Sequence, residues 1–117
     1  MIWMQTMSAI FVFYNNDSNH PGWMRYQDRW QQGAAESDPT FVPSEGLYQP
    51  VRGFGEVWRN EPGVRDRLGW ALTLEQSFDG AYQRDSLFKY NNFYLRIADG
   101  RVIHLKPEFS GWEFVNP

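Results

Sequence analysis

The 117-residue chain has no cysteine, which excludes disulfides, zinc–thiolate centres and a thiol nucleophile. Histidine is almost as scarce, with only His20 and His104 present. There is no Gly-x-Ser-x-Gly elbow, phosphate-binding loop, dinucleotide fingerprint or His-Glu-x-x-His, so the familiar local signatures of catalysis are missing. A basic excess is lacking too. Lys and Arg number 11 against 14 Asp and Glu, for a net charge of −3, and that balance argues against a nucleic-acid surface. No apolar run approaches the length that spans a bilayer. The opening Met1-Ile-Trp-Met-Gln5 has none of the parts of a secretory signal and reads as the start of a strand.

Aromatic residues are abundant, at 18%, with six Trp, six Tyr and nine Phe. Large rings fill core volume with few residues, so a single domain of this length can bury roughly two-thirds of its unfolded surface. Ile10-Phe-Val-Phe-Tyr14 is a continuous β-branched and aromatic run of strand length. Ile2-Trp-Met4 is its expected hairpin partner, with the turn near Thr6–Ser8, giving a hairpin over residues 1–14. Asn15 to Gly22 consists of turn formers, and Trp23-Met-Arg-Tyr-Gln-Asp-Arg-Trp30 after it is read as extended or irregular. Residues 31–49 form a long loop, expected to be pinned by Phe41, Val42, Leu47 and Tyr48. From Ala81 the chain is β again. Phe93–Ile97 and Arg101–Leu105 flank Ala98-Asp-Gly100, in which Asp99-Gly100 is a strong hairpin signal, and Gly111–Val115 closes as a final strand.

The stretch Tyr48–Leu72 is different, carrying Gly53, Gly55, Gly63, Gly69, Trp58 and Trp70. It supports one short helix over about Gly53–Asn60, in which Phe54, Val57 and Trp58 share a buried face. Pro62-Gly63 stops it, and Val64–Leu68 is long enough for another turn. The expected fold is therefore mainly β with one short central helix. Two β-hairpins, in 1–14 and 81–115, stand around a Gly/Trp-rich connector at 50–75, and the whole is repeat-like.

The hairpins align with each other. Trp3 precedes Ile10 by the same seven residues that separate Leu95 from Val102, and Ile10–Phe13 matches Val102–Leu105 at an offset of 92. Gly22-Trp23 then matches Gly111-Trp112 after removal of three residues. Against this background, Val51-Arg-Gly-Phe-Gly-Glu-Val-Trp58, Pro62-Gly63, Leu68-Gly-Trp-Ala71, Glu75 and Tyr82-Gln83 before a hairpin resemble the LGFP repeat. Trp70-Ala71 stands where that family has Phe-Pro, and the 31–49 loop has no counterpart in it. Such repeats occur in exported, envelope-associated bacterial proteins. The resemblance thus implies an extracellular or cell-surface location and binding to the wall or its polysaccharides, without supplying an activity.

Site residues are weighed against plain structural roles. His20 and His104 read as structural. Asp28, Glu56 and Glu75 are the carboxylates a glycoside hydrolase would draw on, but Glu56 also suits the first turn of the predicted helix. Asn15-x-Asp17-x-Asn19 alternates oxygen ligands as calcium loops do, without the glycine and bidentate Glu at the required offsets. No metal or cofactor is expected. Arg52, Arg59, Arg65 and Arg67 alternate with Glu56, Glu61 and Asp66 as a solvated, salt-bridged face. Trp3, Trp58 and Trp70 read as core. The candidate ligand-binding residues are Trp23, Arg25, Tyr26, Asp28 and Trp30, where flat rings stand among charged groups as in sugar sites.

The leading expectation is a non-catalytic binding module that recognises a glycan or cell-wall polymer. The alternative is a self-associating structural subunit, a homo-oligomer joined through edge strands. A small hydrolase is a distant third.

Overall fold

The computed structural model describes residues 1–15, 21–85 and 92–115. Among these residues it is mainly β, with seven strands and two short helices. β1 (Ile2–Met4), β2 (Ala9–Phe13) and β3 (Trp23–Gln27) form one antiparallel-led sheet in that order. α1 (Arg52–Asn60) and α2 (Val64–Leu68) follow. β4 (Ala81–Asp85), β5 (Asn92–Arg96), β6 (Val102–Leu105) and β7 (Trp112–Phe114) make a four-stranded antiparallel meander. The chain divides into two compact units, one of Met1–Val12 with Arg25–Glu75 and the other of Phe13–Met24 with Gln76–Pro117.

In the first unit both faces of β2 are covered, since Ala9, Ile10, Phe11 and Val12 are all buried. This agrees with its continuous apolar run. The turn from β1 is a 3-10 turn at Gln5–Met7 closed by Ser8 in the left-handed region. α1 begins one residue before the expected start, and Arg52 itself has φ +52. Val57 and Trp58 are buried as expected, but Phe54 is only half-buried, and Gly53 and Gly55 complete the inner face. Pro62-Gly63 separates α1 from α2, whose N-cap Gly63 takes φ +79.

Trp58 organises this unit. It is 1% exposed, and its indole N–H donates to the Gly69 carbonyl at 2.8 Å. The rings of Phe41 and Trp70 lie 5.6 and 5.2 Å away, while the Arg65 guanidinium sits 4.6 Å over Phe41. Phe41 therefore does anchor the long loop. Val42 does not, being 78% exposed. Backbone polarity accounts for the rest of the anchoring. Tyr48 and Ala71 exchange N–H···O bonds of 2.9 and 2.8 Å. The Gln49 amide donates to the Asp38 and Phe41 carbonyls and accepts from the Asp38 N–H.

In the second unit the β5–β6 hairpin turns at Asp99-Gly100, with Gly100 at φ +89 and the Arg101 N–H donating to Asp99 Oδ1 at 2.9 Å. Alternation along β5 and β6 buries Phe93, Leu95, Ile103 and Leu105 on one face and leaves Asn92, Tyr94 and His104 on the other.

The two hairpins do align, but one residue differently from the sequence expectation. Trp3 pairs with Ile10, whereas Leu95 pairs with Ile103 and Arg96 with Val102. The counterpart of Trp3 is thus Arg96. The β1–β2 link, residues 5–8, is one residue shorter than the β5–β6 link, residues 97–101, and a one-residue difference moves every side chain to the opposite face. This also corrects the expectation that Trp3 is core, because it is 45% exposed on an edge strand.

Candidate functional site

The five residues singled out from the sequence do not make one surface. Trp23 is 8% exposed, its N–H donates to the Lys106 carbonyl at 2.9 Å, and its ring lies 4.7 Å from Phe109. Little of that ring is left for a ligand. Strand alternation puts Trp23 and Arg25 on one side of β3 and Tyr26 on the other. Arg25 is exposed and Tyr26 half-buried. Trp30 is half-buried, and its indole N–H donates to the Ala35 carbonyl at 3.2 Å.

Asp28 accepts the Trp30 backbone N–H at 3.0 Å. Its carboxylate lies so close to α1 that a Cβ on Gly53 would stand 2.5 Å from Oδ1. Asp28 thereby brings negative charge to the first turn of α1, the role expected of Glu56. Because α1 starts at Arg52, Glu56 falls beyond its first turn. Glu75, with Glu36, is held by the Arg52 guanidinium at 3.0 and 3.2 Å. Glu61 and Asp66 have no ion pair among the described residues. Asp17, Asn19 and His20 lie outside the described residues. Among the described residues no group of three or more His, Asp or Glu is placed to hold a metal ion.

A different constellation stands on the outer face of the four-stranded sheet. Register sets Tyr94 opposite His104 and His104 opposite Glu113. The Tyr94 and His104 rings stack at 4.8 Å with 14° between their planes. His104 Nε2 lies 2.8 Å from Asn92 Oδ1, and Nδ1 lies 3.4 Å from Glu113 Oε1. Lys106 Nζ stands 3.7 Å from the other Glu113 oxygen. The His104 side chain is 18% exposed, so this is a partly desolvated cluster in which hydrogen bonds gain strength over those in water.

Among the described residues the two ring nitrogens of His104 face an amide and a carboxylate, neither of which is a nucleophilic hydroxyl or thiol. The arrangement can instead present a ring edge, an amide, a carboxylate and an ammonium side by side, which is the equipment for hydrogen-bonding a polyhydroxylated ligand. This cluster was missed because its members are far apart along the chain. Register counted outward from a three-residue loop at 98–100, with Ile97 opposite Arg101, gives the Tyr94–His104 pair.

Comparison with protein-family models, curated proteins and solved structures returned no match.

Proposed function

We propose that the protein is a non-catalytic binding module, exported to the bacterial cell surface, that recognises a glycan or cell-wall polymer through the outer face of β5–β7. The observation that carries the site is the stacked Tyr94–His104 pair ringed by Asn92, Glu113 and Lys106. Rings with adjacent amide and charged groups suit sugar hydroxyls, and a flat sheet face suits an extended polymer over a small enclosed ligand. The cell-surface setting rests on the LGFP-like pattern of Val51–Trp58 and Leu68–Ala71.

The test is sedimentation of the protein with purified wall polysaccharide, comparing the unmodified chain with Tyr94→Ala and His104→Ala. Binding that falls at least ten-fold in both, with unchanged near-ultraviolet circular dichroism, supports the reading. Equal binding by all three chains removes the site from this face, and no binding to any wall preparation refutes the function. A second reading, a self-associating subunit, is favoured by Trp3, 45% exposed on the edge strand β1, since an uncovered edge invites strand addition. Light scattering at high protein concentration distinguishes the two.

A further inference from the structure

We infer that the chain contains two equivalent three-stranded β-meanders, β1–β3 and β5–β7, and that each is closed by the Gly-Trp turn of the other. Tyr14 follows β2 as Lys106 follows β6, and the same offset of 92 relates them. The Tyr14 N–H donates to the Gly22 carbonyl at 3.0 Å, and the Lys106 N–H donates to the Gly111 carbonyl at 2.9 Å. The tryptophans after these glycines then cross over. Trp23 Nε1–H donates to the Lys106 carbonyl at 2.9 Å, and Trp112 Nε1–H donates to the Tyr14 carbonyl at 2.7 Å.

Four bonds thus fall into two pairs with equivalent donors and equivalent acceptors. The reciprocity of the tryptophan pair, in which i meets j′ and j meets i′, is what a two-fold relation between the Tyr14–Trp23 and Lys106–Trp112 segments, both within the second unit, produces. A chance likeness between two hairpins gives no reason for it. The Gly22 turn lies against Gly111: a Cβ on Gly22 would lie 2.5 Å from the Gly111 Cα, so position 22 tolerates no side chain. The second copy spans the gap from strand end to glycine with residues 107–110, where the first has 15–21. This shorter path places Glu108 and Phe109 at φ +59 and +60, a left-handed pair held by the Gly22 N–H on the Phe109 carbonyl at 2.8 Å.

The copies have diverged on one face. Val12 and Met24 occupy the positions of His104 and Glu113, and Val12 is fully buried. The apolar set lies in the first copy and the polar set in the second. The closure itself does not depend on the ligand proposed for that polar face.

Indole hydrogen exchange, read by NMR over a series of sub-denaturing urea concentrations, tests this in the unmodified protein. Trp23 and Trp112 should share one opening free energy and one urea slope. In Trp112→Phe, the Trp23 indole should exchange about ten-fold faster, the equivalent of one hydrogen bond. The Trp58 indole, bonded to Gly69, should keep its rate. Separate openings for Trp23 and Trp112 overturn the inference, as does a Trp23 rate unchanged by Trp112→Phe. If the variant does not fold, the shared or separate opening in the unmodified chain decides the matter.

Discussion

Trp58 offers the sharpest test of how the first unit is held together. Its side chain is 1% exposed, and it combines burial, one hydrogen bond and two ring contacts. Truncation of a buried Trp to Ala costs about 3–5 kcal/mol through lost transfer energy and an unfilled cavity. The hydrogen bond adds about 1 kcal/mol and not the full penalty of a buried orphan, because Gly69 is exposed and water can reach its carbonyl. The expected loss for Trp58→Ala is therefore about 5 kcal/mol, a third or more of the stability of an ordinary domain. Trp58→Phe keeps a ring against Phe41 and Trp70 but lacks the N–H, and should lose about 2 kcal/mol. Urea unfolding followed by circular dichroism measures both. Equal losses in the two variants would show that the Gly69 bond, and not packing, is what Trp58 supplies. A loss below about 1.5 kcal/mol in Trp58→Ala would refute its central role.

Two further outcomes follow from local geometry. Gly55→Ala should destabilise the protein even though alanine improves helix propensity by about 1 kcal/mol, because its Cβ would stand 2.6 Å from the Pro50 carbonyl oxygen. A raised urea midpoint would contradict this. The Thr40 hydroxyl, and then its backbone N–H, hold the Asp38 carboxyl below its ordinary 3.8, and the Arg101 backbone N–H does the same chiefly for Asp99. Depressed carboxyls stabilise the fold above their unfolded value and lose that contribution as pH falls through the folded values. The acid limb of stability should thus lie below about pH 3.8 and flatten in Asp38→Asn/Asp99→Asn, measured by thermal melts across pH 2–5.

Much of the fold was legible because its signals are local. The run Ile10–Tyr14, the Asp99-Gly100 turn and the Pro62-Gly63 break each specify their conformation within a few residues, and strands, hairpin and helix stop stand where those signals put them. The errors arose where distant parts of the chain decide the outcome. Val42 is as apolar as Phe41, but only Phe41 meets Trp58. The loop is otherwise fixed by the Tyr48–Ala71 backbone exchange and by the Gln49 amide, whose polarity gives no reason to rank it as an anchor. Trp3 reads as core by residue type, but it stands 45% exposed on the edge strand β1, where sheet position and not residue type decides burial.

The site shows the same division more strongly. Trp23 and Trp30 stood out because tryptophans among charged residues look like a binding surface, yet each indole N–H is satisfied by a carbonyl, at Lys106 and Ala35. Trp23, buried with its donor occupied, is ordinary core chemistry, while Trp30 is half-buried, and composition alone cannot separate the two. His104 looked structural because a lone histidine within an apolar strand has no sequence neighbours to work with. Its neighbours lie across the sheet, at Asn92, Tyr94 and Glu113. Antiparallel pairing makes such partners predictable once one turn is certain, since every pair in the hairpin then follows by counting. The three-residue loop at 98–100, which sets Ile97 opposite Arg101, is that turn. It fixes Asn92, Tyr94 and His104 on one face, while the separate β6–β7 link brings Glu113 opposite His104, and a slip of one residue in β6 would turn His104 into the buried layer beside Leu95 and disperse the cluster.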